Sequence, residues 1–317
     1  MRLAIAAGGD EKFVLPLAVT LYSALTHLRQ GVGVDVFIID GGIRPSSIDR
    51  LRAVLHPFSS HAAIHLIAPR LDILQRRPLP LGRHGAMTYL RLLLPDSLPP
   101  SVERVLYLDS DLLIRDSLDE LWNEVNWKTA IAGVPDYSAP LVSSDAALPN
   151  WEELGLPAEA PYINAGVLVM NLRLWRSNNY SEAILEYNTK YRRLNRYADQ
   201  DGINAVLCGS CQALDTKWNV PAYIEFDRLV ERLDPSPTKG RVKADPRELI
   251  ENGGILHFIG SRKPWTLGLA SRTQDEWLQC MKDTGWFRGR YLSYLRTALP
   301  LRLDWVMRKA VRGLRRK

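Results

Sequence analysis

The chain has 317 residues, 46% of them apolar and 24% charged, enough to bury a large core without cross-links. Its three cysteines, Cys208, Cys211 and Cys280, exclude a disulfide framework and point to a reducing compartment. The net charge of +6 is local: residues 288–317 hold ten Arg and Lys against one acid, Asp304, which leaves residues 1–287 slightly acidic and argues against a nucleic-acid partner.

Leu3 to Ala7 reads as a first strand, because Asp10 and Glu11 interrupt before a signal-peptide core could form. Leu15 to Leu28 follows as a helix. Val34 to Asp40 is apolar enough for a strand buried on both faces, and Gly41-Gly42 ends it. Ser46 to Leu55 reads as a helix capped by Ser46 or Ser47, and Ala62 to Ile67 as the next strand. This alternation predicts a doubly wound, mostly parallel α/β sheet. The Arg-, Pro- and Gly-rich stretch from Gln75 to Gly85 leads into a helix over Met87 to Leu94. Later strands are expected at Arg104 to Ile114, Thr129 to Val134 and Ile163 to Met170. Between the last two, Pro135 to Pro161 is long enough to be a lid or an acceptor-facing segment, or equally a variable surface loop. No run approaches the ~18 apolar residues of a membrane span, and no Walker or G-x-G-x-x-G loop occurs.

The most informative stretch is Arg104-Val-Leu-Tyr-Leu-Asp109-Ser110-Asp111-Leu-Leu-Ile114. Two carboxylates, one residue apart, stand where a buried strand ends, and a packed core does not accept adjacent anions without a cation between them. Hard oxygen ligands suit Mn²⁺ or Mg²⁺, which is commonly shared between protein carboxylates and substrate phosphates. The plainer alternative is turn chemistry, since Asp and Ser side chains bond to nearby backbone. In an open α/β sheet ligands bind beyond the carboxyl ends of the strands, where Asp10 and Asp109 both fall. Three further segments carry more polar detail than packing requires: Asn164-Ala165-Gly166 at a strand start, Asp199-Gln200-Asp201 at a helix start, and His257-Phe-Ile-Gly260-Ser-Arg-Lys263-Pro-Trp265 after a strand.

Tyr107-Leu-Asp-Ser-Asp111, Asn164-Ala-Gly-Val-Leu168, Asp199-Gln-Asp201 and the His257–Trp265 segment, in this order, resemble the motif set of glycosyltransferase family 8. The resemblance runs from about Ala7 to Trp265. It implies a GT-A fold, a UDP-sugar donor, a Mn²⁺ cofactor and retention of anomeric configuration. It also implies Asp109, Asp111 and His257 as metal ligands, with Gly260 and Lys263 at the diphosphate, Asp10 at the base and Arg91 at the donor. Asn164, Ala165, Asp199 and Gln200 would line the sugar pocket, and His84 matches an acceptor-side position. Ser110 lies between the two ligating carboxylates, also on the donor side. Lys12-Phe13 departs from the Asn-Tyr often found in that place. Gln200 matches the β-face residue, and an amide is a poor nucleophile. Same-face attack is therefore favoured over double displacement, with Asp201 the nearby carboxylate that could serve the latter.

Residues 1–270 thus read as a catalytic domain and 271–317 as a helical basic tail. In the tail, Leu303, Val306, Met307, Ala310, Val311 and Leu314 share one helical face. With Trp286, Phe287, Tyr291 and Tyr294 upstream, this predicts an anchor on an anionic membrane surface, favoured over an apolar face docked on the catalytic domain or arginines that bind nucleic acid. The expectation is a cytoplasmic enzyme, peripheral on the inner face of the membrane, moving galactose or glucose from UDP-Gal or UDP-Glc to a glycan or glycolipid such as lipopolysaccharide. Three alternatives are weighed: a haloacid-dehalogenase-type phosphohydrolase, a sugar nucleotidyltransferase, and a nucleotide-sugar-binding protein without turnover. Cys208-Gly-Ser-Cys211 has redox spacing but no second pair, and ordinary packing is expected of it.

Overall fold

The computed structural model describes residues 1–81, 85–226, 245–260, 263–266 and 271–287. Strands form where the chain is apolar on both faces. β1 (Arg2–Gly9) and β2 (Gly33–Asp40) pair in parallel, and β3 (Ala62–Ile67) extends the sheet beyond β2. The crossovers are α1 (Val14–Thr26) and α2 (Pro45–Leu55), whose apolar faces pack on this side of the sheet in one core. Neither Ser46 nor Ser47 caps α2. Arg44 occupies the cap position ahead of Pro45, and the Ser47 hydroxyl instead donates to Glu11 (2.9 Å). Proline fits the first helical turn because its missing N–H would have had no partner there.

After the short helix α3 (Asp72–Gln75), the predicted helix over Met87 to Leu94 is a 3-10 helix, Gly85–Leu93, running into α4 (Leu94–Ser97). Its tighter winding stacks each side chain over the third residue before it. Arg91 accordingly sits over Thr88 and donates through Nε to the Thr88 carbonyl (3.2 Å). β4 (Arg104–Leu108) joins β1 in parallel, β5 (Leu112–Ile114) leaves for a second sheet, and α5 (Leu118–Glu124) precedes β6 (Ile131–Pro135). β7 (Ile163–Asn171) runs antiparallel to both β4 and β6, so the sheet is mixed, and every one of its residues is buried. Helices α6 (Leu172–Ser177), α7 (Tyr180–Lys190) and α8 (Asp199–Leu207) lead to β8 (Cys211–Ala213) and complete the order β3-β2-β1-β4-β7-β6-β8.

The second sheet has the order β5-β10-β9, with β9 (Val220–Pro221) parallel and β5 antiparallel to β10 (Ile255–His257). β10 follows α9 (Pro246–Asn252), and α10 (Arg272–Asp283) packs Trp277, Leu278 and Met281 against Leu113, Val220 and Leu256. Trp286, read from composition as an anchor residue, is instead 7% exposed within the main core, and Phe287 packs beside it. Residues 288–317, which carry the predicted amphipathic face, and His84 lie outside the described residues. No helix among the described residues is long and apolar enough to cross a membrane.

The connection from Pro135 to Pro161 is a packed lobe rather than a loose lid. Leu141 bridges Pro161, Val142 N–H donates to Ala160 O (2.9 Å), and Val142, Ala147, Leu148, Tyr162 and Tyr187 form a small core of their own. All three cysteines are free thiols, and burial pushes Cys211 and Cys280 up to about 12.

Candidate active site

The Asp109-Ser-Asp111 link is where the chain passes from the seven-stranded sheet to the three-stranded one. Asp109 N–H donates to Gly166 O (2.8 Å), continuing the β4–β7 ladder. The Thr20 hydroxyl of α1 donates to Ser110 O (3.0 Å) and accepts from Leu112 N–H (3.1 Å), which fixes the turn from beneath. Because β10 pairs antiparallel with β5, His257 stands opposite Leu112, one residue from Asp111. That register brings a residue 146 positions later against the carboxylates: His257 Nε2 lies 3.3 Å from Asp111 Oδ1 and 3.8 Å from Asp109 Oδ2. The donor atoms of Asp109, Asp111 and His257 all fall within 4.8 Å of one another. Two carboxylates and an imidazole are a donor set that fits Mn²⁺ or Mg²⁺.

Cations flank this trio. Lys263 Nζ forms an ion pair with Asp111 Oδ2 and donates to Phe258 O (2.7 Å), with its side chain 8% exposed. Burial alone would push the Asp111 carboxyl up, but Lys263 and His257 outweigh it and hold the group well below the usual carboxylate range. Arg91 lies on the other side. Its Nη2 is 3.1 Å from Asp109 Oδ1, its Nε is 2.8 Å from Asp199 Oδ2, and Nη1 donates to Ala165 O. The Tyr107 ring lies 4.6 Å from the guanidinium, and the Tyr107 hydroxyl donates to Asp109 Oδ1 (2.8 Å). Two carboxylates share one guanidinium, and burial pushes Asp199 up to about 7 despite Arg91.

The sugar-pocket residues form a hydrogen-bonded wall. Gln200 accepts from Ala165 N–H through Oε1 (3.0 Å) and donates through Nε2 to Asp136 Oδ2 (3.3 Å). Asn164 donates to the same Asp136 oxygen (2.9 Å) and accepts from Gly166 N–H (2.9 Å). Asp201 does not face this wall. It is 1% exposed and accepts from the Tyr162 hydroxyl, Arg196 N–H (2.6 Å) and Tyr197 N–H (3.3 Å). Burial raises its pKa against these donors.

Asp10 is at the end of β1 as expected, but its Oδ1 caps the following turn by accepting from Lys12 N–H (2.9 Å) and Phe13 N–H (3.2 Å). Gly260 adopts φ +86° with open space where a side chain would project, the left-handed conformation that glycine alone takes freely. Two site residues escape a reading of the sequence. Asp136 ends β6 at the same sheet edge as Asp10 and Asp109, and that position was its signal. Asn219, which contacts His257 Nδ1 (2.9 Å), lies in an apolar stretch with none.

The model of glycosyl transferase family 8 matches residues 4–267. The chain belongs to that family. Among curated relatives it is 25% identical over 285 residues to General stress protein A of Bacillus subtilis, covering 89% of this chain and 94% of that one. It is 23% identical over 291 residues to the lipopolysaccharide 1,3-galactosyltransferase of Salmonella typhimurium, covering 89% and 78%. The galactosyltransferase LgtC, solved with donor and acceptor sugar analogues, superposes with TM-score 0.69 at 22% identity over 88% of this chain and 95% of that one. The bifunctional glycosyltransferase WbbM gives 0.72 at 17% identity, over 93% and 51%. The architecture is the GT-A fold, and membership of family 8 makes the protein a glycosyltransferase. The phosphohydrolase and nucleotidyltransferase alternatives fall with it.

Proposed function

We propose that this enzyme moves a hexose, galactose or glucose, from a UDP-linked donor to a saccharide or lipid-linked acceptor with retention, in the synthesis of lipopolysaccharide or a related glycan. The observation that carries this reading is the convergence of Asp109, Asp111 and His257 at the carboxyl edge of the sheet, flanked by Arg91 and Lys263. Asp109, Asp111 and His257 would hold Mn²⁺ or Mg²⁺, which when bound supplies positive charge to the donor diphosphate. Lys263, already at this edge, adds a second cation for the departing phosphate.

Same-face attack fits the side chains. The acceptor oxygen bonds to the anomeric carbon as the bond to the phosphate oxygen breaks, and the acceptor's proton passes to that departing oxygen. Gln200 is uncharged, Asp199 is paired with Arg91, and Asp201 is buried and held by three donors, so none of them is placed as a nucleophile. The second lone pair of Gln200 Oε1 and the Asp136 carboxylate behind it stabilise positive charge developing on the sugar ring. Two of the proteins it resembles, the Salmonella enzyme and LgtC, are galactosyltransferases, which favours galactose. Location at the inner membrane face rests on the composition of residues 288–317 alone, and deleting them should release the protein from anionic vesicles.

The deciding measurement is UDP release from UDP-Gal and UDP-Glc, with and without Mn²⁺. Metal-dependent release supports the reading. Turnover that ignores added metal and chelator alike, or no release from any UDP-sugar, refutes it.

A further inference from the structure

His257 does not stand alone behind the carboxylates. Its Nδ1 lies 2.9 Å from Asn219 Oδ1, Asn219 Nδ2 donates to Asn164 Oδ1 (2.9 Å), and Asn164 Oδ1 also accepts from Gly166 N–H (2.9 Å). Asn164 Nδ2 donates to Asp136 Oδ2 (2.9 Å). Asn219 is 5% exposed and His257 4%, so no bulk water competes for these groups.

The direction of each bond in this chain is forced. A backbone N–H can only donate, so the group that Asn164 turns toward Gly166 must be its carbonyl oxygen, and its amide nitrogen must then face Asp136. That oxygen also receives Asn219, which must therefore offer its NH₂ to Asn164 and its carbonyl to the ring. A carbonyl facing Nδ1 requires a proton there. With the proton fixed on Nδ1, the nitrogen left to meet a cation is Nε2, the atom aimed between Asp109 and Asp111.

We infer that Asn219, fixed by Asn164 and the Gly166 backbone, is a positioning residue that locks His257 in the Nδ1-protonated tautomer and so prepares Nε2 to bind a cation. Partners of this kind set ring orientation and ligand basicity, and their loss costs about 10- to 100-fold in metal affinity. The inference rests on reading His257 as a metal ligand, but the tautomer itself can be observed in metal-free protein.

The test uses full-length protein labelled with ¹⁵N-histidine, without metal. Long-range ¹H–¹⁵N correlation reports which ring nitrogen is protonated, and His257→Gln assigns the His257 signals. The wild type is expected to show a protonated Nδ1. Asn219→Asp still offers an oxygen to Nδ1–H and should keep that tautomer. Asn219→Leu should show a mixture of tautomers, with Mn²⁺ affinity, read by the free-ion EPR signal, reduced about 10- to 100-fold. A wild-type ring with Nδ1 bare overturns the inference. So does a folded Asn219→Leu protein with unchanged tautomer and Mn²⁺ affinity. If Asn219→Leu does not fold, the wild-type and Asn219→Asp spectra decide. A wild type with the expected tautomer but no Mn²⁺ binding keeps the relay and removes the metal reading.

Discussion

The ring of His257 occupies the space that a side chain on Gly166 would need: a Cβ there would come within 2.7 Å of His257 Nδ1 and 3.1 Å of Asn164 Oδ1. The glycine of the Asn164-Ala-Gly166 motif admits the imidazole from the second sheet. Gly166→Ala should therefore displace the ring, costing about 1–3 kcal/mol of stability by overpacking and lowering Mn²⁺ affinity at least about 10-fold. Thermal melts and Mn²⁺ titration check this, and an alanine variant with unaltered metal affinity would contradict it.

Asp199 gives a pH dependence with a definite sign. Its pKa is about 7 when folded against 3.8 ordinarily, so between these values the folded state holds a proton that the unfolded state has lost. Stability from this group is therefore highest below about pH 4, falls as pH rises toward 7, and then levels. Asp199→Asn removes that slope. Relative to wild type the variant should gain stability across the window, by at most about 4 kcal/mol. Denaturant melts at a series of pH values would show a flat difference if the carboxyl titrates normally.

Lys263 stands beside Asp111 as the cation that makes the acidic pair tolerable without a metal. Its ammonium is paired to Asp111 Oδ2 and bonded to Phe258 O (2.7 Å) at 8% side-chain exposure. Lys263→Met leaves the buried carboxylate short of a counter-charge, and breaking such a pair costs about 3–5 kcal/mol. A divalent cation would restore part of that loss, because it binds the folded state alone. The variant should melt lower than wild type without metal and gain more from added Mn²⁺. An equal gain in both proteins would show that Lys263 does not share Asp111 with the ion.

The frame of this site was legible because its signals are local. β1 and β2 each carry an unbroken apolar run, the Asp109-Ser-Asp111 pair ends a buried strand, and the Asp199-Gln200-Asp201 triplet begins α8, as read. What stayed hidden depends on partners distant in the chain. Spacing could not show that the Asp201 carboxylate turns away to Tyr162 and two backbone N–H groups, nor that Arg91 is gripped by Asp109 and Asp199 rather than by the nearby Asp96. Trp286 misled for the same reason. Its aromatic, basic neighbourhood suggests lipid, but tertiary packing buries it near Arg50, whose guanidinium lies 5.8 Å from the ring. Asn219 needed the β9–β10 pairing before it could be placed beside His257 at all.

Arg91 offers the sharpest separation of positioning from charge. Its planar fork reaches Asp109 through Nη2 (3.1 Å), Asp199 through Nε (2.8 Å) and Ala165 O through Nη1, while its face lies 4.6 Å from the centre of the Tyr107 ring. A lysine has the same charge but a single nitrogen, which cannot hold the Thr88 and Ala165 carbonyls and stay beside both carboxylates. Arg91→Lys should therefore fold, with stability reduced by about 1–3 kcal/mol for the acceptors left unpaired. The loosened grip reaches Ala165, whose N–H holds Gln200 (3.0 Å), so the wall facing the donor sugar shifts with it. A misplacement of that kind costs roughly 100-fold in kcat. Mn²⁺ affinity should change far less, because Asp111, His257 and the Tyr107 hydrogen bond to Asp109 remain. If instead metal affinity and kcat fell together, Arg91 would be acting mainly through Asp109 as a charge partner, and its role in aligning the sugar wall would be refuted.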